Sequence, residues 1–497
     1  MKSTLSVILK VNWLIFSFLV LLKQARSEPF PADIWIQILR QMNPGSAISL
    51  SLVDQSHNKI FDSDPLLRNE KLKAIARYEL VDSVVTSDYY EKSPDGMRFA
   101  YLANGGKTIK VWMGPKIEHK TFVGHENKIS SLKFSPNGKL LVSSAVDIDN
   151  KLDQTLRIWD VEREVEIIKF DVFQSGYSDD ASTAPWTFSP DGKYFAYSTE
   201  KEPPQVTQPA SSRIRKYRQI EIWDVETWTK LHTLDPKCTS VKFITFSPNE
   251  KLFVSHCFGQ KNISIWDVES GNLSKNLLCS GIDEKKEGCD SISFSPDSKF
   301  LTSKFWRRGH GDMGVRMWEL ESGTEFNIFE DPEFHVKNLI FSQDSSLLIF
   351  TGESKSGKNV IQTWDVETRT PILQNDSLKS PYLGTLSPDG KLFATGGWTF
   401  GICEMETAKE IKMLESFHCV FKSSFLPNQK LIVTHSHDDT IRIWDTETGK
   451  QVSTFGQGSG VSHGSFFISS DGRYIFYSSA FSRKIEVRKR VSYLTDL

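Results

Sequence analysis

The chain has 497 residues, of which 39% are hydrophobic and 25% charged, with a formal net charge of -2. That length holds two or three ordinary domains, or one large repeat architecture with an appendage. The near-neutral balance argues against bulk nucleic-acid binding as the main activity. The N-terminus opens with Lys2 and Lys10 ahead of an apolar run from Val11 to Leu22, closed by Lys23. The run is shorter than the roughly 18 apolar residues of a membrane span. It fits the core of a signal peptide, and Ala25-Arg26-Ser27 puts small residues at the two positions a signal peptidase reads. Residues 1–27 are therefore read as a signal peptide cleaved after Ser27, with an uncleaved membrane anchor as the competing reading.

Residues 28–70 read as a small helical module. Pro31 and Asp33 suit a first helical turn, and Trp35, Ile38, Leu39 and Met42 share one helical stripe. Asn43-Pro44-Gly45 stops that helix, Ser46 can cap a second, and Ser63-Asp64-Pro65 opens a third. Pro31, Ile34, Ile38 and Leu39, then Leu52-Val53 and Asp64-Pro65-Leu66, make the segment resemble an F-box. Two positions depart from that pattern, Phe30 where Leu is common and His57 where an aromatic is usual. The resemblance implies docking on a Skp-type adaptor of cullin-RING ubiquitin ligases through Pro31, Ile34, Ile38, Leu39, Leu52 and Val53. The competing reading is a helical cap on the edge of the domain that follows.

From Val84 onward the sequence repeats. An apolar residue followed by S-P-D-G or a near copy recurs with its first turn residue at Ser93, Ser135, Ser189, Ser247, Ser295, Ser342, Ser387, Leu426 and Ser469. A second mark, I-W-D or a relative, is centred on Trp112, Trp159, Trp223, Trp266, Trp318, Trp364, Cys403, Trp444 and Arg488. A D-V-E-T-G-like turn follows at once. Pro and Asp-Gly set tight turns, so each unit reads as a hairpin, a third strand and a turn into a fourth. Four-stranded units in tandem bury their faces by radial packing, which predicts an all-β propeller over 84–497. Nine units are read, giving eight or nine blades. Residues 71–83 are taken as a linker, with the stretch near Arg77 to Val84 as the strand that closes the ring.

These marks resemble the WD-repeat family. Its pattern is fullest at Gly124-His125, then Ser143 or Ser144, then Asp153 to Trp159. The resemblance implies a hydrogen-bonded set of His125, Ser144, Asp153 and Trp159 inside one blade. Most units lack the Gly-His pair, so apolar packing is expected to carry the others. Cys403 and Arg488, standing in the Trp place, put the regularity of units seven and nine in question.

Insertions point to a recognition face. From turn to Trp the compact units span 16 to 19 residues, the third 34, and the second, fifth and sixth 22 to 24. The third insertion carries Arg213, Arg215, Lys216 and Arg218; the fifth Trp306, Arg307 and Arg308; the sixth Lys355 and Lys358, whereas the second is acidic, with Asp147 and Asp149. A basic arc of these residues suits an acidic or phosphorylated target protein. The competing reading is solvated loop charge.

Three tempting motifs are refused. "GESKSGKN" at 352–359 ends in Asn and sits between strands rather than opening a helix. "GVSHG" at 460–464 is followed by a strand, where a nucleophile elbow needs a helix. "HSHDD" at 435–439 aligns with a strand end and turn in the other units. The six cysteines contain no C-x-x-C pair and no His at zinc spacing, and Cys279 and Cys289 are read as free thiols, with a bridge in an oxidising space as the alternative. The expectation is thus a non-enzymatic interaction protein with no metal, cofactor, small-molecule substrate or nucleic-acid partner. An F-box followed by WD repeats resembles ubiquitin-ligase substrate receptors, and the export signal makes the chain look like an effector that an intracellular bacterium delivers to host cytoplasm. "FSPDGKYFAYS" also resembles periplasmic TolB-like propellers, so a periplasmic or extracellular scaffold is the alternative. A third reading is a eukaryotic cytosolic receptor with no export signal.

Overall fold

The computed structural model describes residues 78–85, 90–115, 117, 119–145, 155–172, 185–200, 217–278, 287–307, 311–331, 334–354, 359–378, 382–396, 400–405, 407, 409–414, 419–427, 430–456, 465–479 and 484–490. The signal-peptide segment and the F-box-like module lie outside them. Among the described residues, thirty-six strands form nine four-stranded antiparallel sheets. Eight are simple meanders of consecutive strands, here a to d, beginning with blade 1 at Tyr90–Lys92 and ending with blade 8 at Gln451–Gly456. Blade 9 takes strands a to c from Ser465–Ile468, Tyr474–Ser479 and Lys484–Arg490, and its outer strand from Tyr78–Val85.

The hairpin marks form because their side chains replace missing backbone partners. In blade 6 the Ser342 hydroxyl donates to Asp344 and accepts the Leu347 amide, and the Asp344 carboxyl, held below its ordinary range by that hydroxyl, accepts the Ser346 amide. The turn between strands c and d works likewise, with Asp224, Asp267 and Asp365 each accepting the amide three residues on. At the residue after the turn Asp or Asn the backbone enters the left-handed region. Five units use Gly there, and Glu250, Ser298 and Ser345 also adopt it. Those three side chains reach back and accept the amides of Asp191, Asn249 and Asp297 in the preceding blade. The strained conformation is thereby compensated by a hydrogen bond between blades.

Packing closes the ring. Apolar clusters join each consecutive pair of sheets from blade 1 to blade 9. A ninth cluster sets Phe99, Tyr101 and Trp112 of blade 1 against Phe467, Phe476, Ile485 and Val487 of blade 9. The turns meet there too: the Ser470 amide donates to the Asp95 carbonyl, and a Cβ on Gly96 would lie 2.8 Å from the Ile468 carbonyl oxygen. The molecule is a nine-bladed β-propeller. Strands a neighbour one another around the axis, while strands d, such as Val165–Asp171, are largely exposed at the rim.

Buried histidines make the fold sensitive to acid. His256 in blade 4 is 3% exposed, its Nδ1 lies 3.2 Å from the Asn262 carbonyl, and burial pushes its pKa down to about 4, with the Lys242 charge adding to the effect. A folded-state pKa below the unfolded one means that this contribution is complete above pH 6.5 and is lost as pH falls toward 4. His256 alone is expected to remove about 2 to 3 kcal/mol between pH 7.5 and 4.5. Urea midpoints at the two pH values should therefore differ more in the parent chain than in His256→Gln.

Candidate protein-recognition surface

Strand c carries the aromatic mark in seven of the nine units, and each tryptophan on it packs toward the preceding blade. In blade 2 the Trp159 indole donates to the Ser143 hydroxyl at 2.8 Å, His125 Nε2 lies 2.7 Å from the same oxygen, and Thr155 Oγ1 is 3.4 Å from His125 Nδ1. The serine of this set is Ser143, which corrects the assignment of Ser144. Strand alternation decides it: Leu141 joins Trp159 in the cluster against blade 1, and Ser143 lies two residues on, whereas Leu140 and Val142 join the cluster against blade 3 and share their parity with Ser144. Asp153 lies outside the described residues.

Elsewhere the indole nitrogen finds whatever acceptor the unit supplies. Trp266 uses Ser255, Trp444 uses Thr434, Trp364 uses Gln362, Trp223 uses Glu221 and Trp318 uses the Leu278 carbonyl. Trp112 donates to Asp82 on the closing strand at 2.7 Å. The two irregular units are complete sheets. Buried Cys403 packs with Met405 and Ile349, and burial raises its thiol pKa to about 12. Arg488 lies 4.7 Å from the Phe455 ring of blade 8 and pairs with Glu486 at 3.1 Å. The "HSHDD" stretch forms a contact inside its own blade, where His435 Nε2 lies 3.2 Å from Asp439 Oδ1. Among the described residues no group of three or more His, Cys, Asp or Glu is placed to hold a metal ion.

The extra residues of blades 2 and 3 fall in the connections 146–154 and 201–216 between strands b and c. In blades 5 and 6 they lengthen the strands themselves, Phe300–Arg307 with Gly311–Glu319 and Leu347–Ser354 with Asn359–Asp365, and the connections 308–310 and 355–358 are no longer than 258–261 in compact blade 4. In an antiparallel meander these loops share an end with the links from each strand d to the next strand a, opposite the S-P-D-G turns. Arg213, Arg215, Lys216, Arg308, Lys355 and Lys358 lie outside the described residues. Trp306 and Arg307 end strand b of blade 5, opposite Asp312 and Gly311. Arg218 opens strand c of blade 3, and its side chain is buried rather than offered to solvent. Burial lowers its pKa, while its cross-strand partner Glu200 opposes the effect. Arg218 therefore belongs to the root of the third insertion, not to an exposed basic arc.

A disulfide joins Cys238 to Cys257 beside that root, and Cys403 and Cys419 are free thiols. Cys279 lies outside the described residues. The pairing has a sequence signal that cysteine spacing alone misses. Cys238 precedes the turn residue Ser247 by nine positions and Cys257 follows it by ten, so the hairpin itself brings them together.

Two stretches of the chain match one family of known proteins. Residues 117–160 and 411–445 match the model of the WD domain, G-beta repeat. The chain carries WD40 repeats. It is 23% identical to apoptotic protease-activating factor 1 of Danio rerio over 67% of this chain and 24% of that protein. It is 24% identical to human WD repeat and SOCS box-containing protein 1 over 37% of this chain and 50% of that one. The chain thus spans about a quarter to a half of the length of these curated relatives. A crystal structure of a eukaryotic initiation factor superposes with a TM-score of 0.55 at 13% identity, covering 78% of this chain and 90% of that one, a likeness of fold. A WD40 propeller of this kind is suited to protein–protein interaction.

Proposed function

We propose that this WD40 propeller is a non-enzymatic receptor that holds a protein target on the end of the ring where the b–c insertions gather. The observation that carries the reading is that the enlarged b–c connections of blades 2 and 3 and the lengthened b–c hairpins of blades 5 and 6 all stand at one end of the ring. In its finer form the F-box-like module of residues 28–70 recruits a Skp-type adaptor, and the chain acts as an exported effector in host cytoplasm, binding an acidic or phosphorylated target. The human relative that combines WD repeats with a SOCS box supports a layout in which a propeller carries an appended module. The test is co-purification of the chain from Glu28 onward with a eukaryotic Skp-type adaptor, beside Ile38→Asp/Leu39→Asp. Retention lost only in the folded variant is the expected result, and failure of the folded parent chain to bind rejects the adaptor.

A second reading is favoured by the Cys238–Cys257 disulfide. Such bonds persist in oxidising compartments, which accords with the export signal and supports a periplasmic or extracellular scaffold. Thiol labelling of the chain recovered from its native compartment separates the two, since the scaffold reading requires this pair to be oxidised there.

A further inference from the structure

Strand a of a blade is covered on one edge by strand b and on both faces by neighbouring blades. An exposed residue on it therefore opens onto the central channel or one of its mouths. Lys92, Lys133, Lys337 and Lys422 are exposed on strands a of blades 1, 2, 6 and 8, and Lys242 of blade 4 is half-buried. The acids on these strands are Glu91 in blade 1, with Glu287 and Asp290 on blade 5. The sector running through blades 8, 9, 1 and 2 is lopsided: it holds Lys422, Lys92 and Lys133 against Glu91 alone, because strand a of blade 9, Ser465–Ile468, carries no charge.

These groups feel one another. Burial raises the Glu91 pKa while Lys133, Lys92 and Lys422 oppose it. Burial also lowers Lys422 to about 8, Lys92 adds to the effect, and Glu91 opposes it. Lys422 Nζ lies 5.6 Å from the Phe466 ring, and its cross-strand neighbour His435 contacts Asp439. Solvent reaches Lys422, yet surrounding protein strips part of its hydration, which is the setting in which a bound anion gains most.

We infer that this sector of the channel binds an acidic segment of the protein partner, with carboxylates seated among Lys92, Lys133 and Lys422. The inference rests on the protein-binding reading and names the chemistry of the partner. A carboxylate beside Lys422 raises its pKa toward the ordinary range, so binding is held below pH 8 and weakens as pH rises through the bound-state value. The charges facing Lys422 are Glu91 and Lys92 of blade 1 and the His435–Asp439 pair of its own blade, with Lys133 acting on Glu91.

Calorimetric titration of the full chain with hexaglutamate at low salt tests the site, beside hexaglutamine and inorganic phosphate. Hexaglutamate binding that weakens between pH 7 and pH 9.5 and with salt, without binding of hexaglutamine, is the expected result. Lys92→Gln and Lys422→Gln should each weaken it about 5- to 10-fold. Glu91→Gln should tighten it, an effect that misfolding does not produce. No binding by the folded chain, an unchanged affinity in the Lys92→Gln/Lys422→Gln double variant, or inorganic phosphate binding as tightly as hexaglutamate overturns the proposal. The titration uses neither adaptor nor target, so a failed adaptor co-purification leaves its outcome standing.

Discussion

Phe99→Ala is expected to destabilise the whole chain by about 3 to 5 kcal/mol, although Phe99 lies near the start of a ring that ends almost four hundred residues later. Its side chain is 0% exposed and stacks on Trp112 at 5.5 Å. It meets Phe476 and Phe467 of blade 9 edge-on, at 5.5 and 6.3 Å. A cavity at this point removes packing from the one interface that joins the two ends of the ring. Trp112 beside it also donates to Asp82 on the closing strand, so loosening the cluster disturbs the strand Tyr78–Val85 as well. Urea unfolding measures the loss, with Val123→Ala as the control, because Val123 is 72% exposed and should change stability by no more than about 0.5 kcal/mol. A loss below about 1 kcal/mol in Phe99→Ala would mean that blades 1 and 9 do not depend on each other. Amide exchange adds a second reading: the Asp82 to Val85 amides should lose protection in Phe99→Ala while those of blade 5 keep theirs.

The ring was legible because its turns are built from local chemistry. A serine, an Asp or Asn two residues on, and a residue that accepts the left-handed region recur at eight of the nine hairpins, and their hydrogen bonds run within the turn itself. The ninth, at Leu426, keeps the backbone bond to Leu431 and buries the leucine instead. Nine units were countable for that reason, and substitutions such as Cys403 and Arg488 did not break a sheet. They change only what strand c shows to the preceding blade. Choices between neighbouring residues were less legible. Ser143 and Ser144 are both small and polar, and only the parity set by Leu141 and Trp159 separates them. Arg218 reads as a loop charge because the sequence shows no boundary between the insertion and strand c. No sequence mark points to the channel lysines, because each is one residue in a different unit, and only closure of the ring brings Lys422 near Lys92.

Cys238→Ser/Cys257→Ser is expected to cost about 3 kcal/mol, the magnitude for a cross-link closing a loop of this size. Reductant should lower the unfolding free energy of the parent chain, measured in urea, by the same amount and leave the double variant unchanged. Equal midpoints for the oxidised parent chain and the variant would show that the bond contributes no stability. The bond also constrains the recognition end. The Cys238 carbonyl accepts the Arg218 amide at 2.7 Å, and Arg218 is the first residue of strand c after the 201–216 insertion. Cutting the bond frees Cys238 from strand b of blade 4 and thereby loosens the root of the longest insertion. Amide exchange at Arg218 and Gln219 should accelerate on reduction, while the distant blade 8 hairpin keeps its protection. An oxidising compartment thus holds that loop root in place, and a reducing cytosol loosens it. A target held only by the oxidised chain would place its binding outside the cytosol. A target held equally by both forms would show that recognition does not depend on this root.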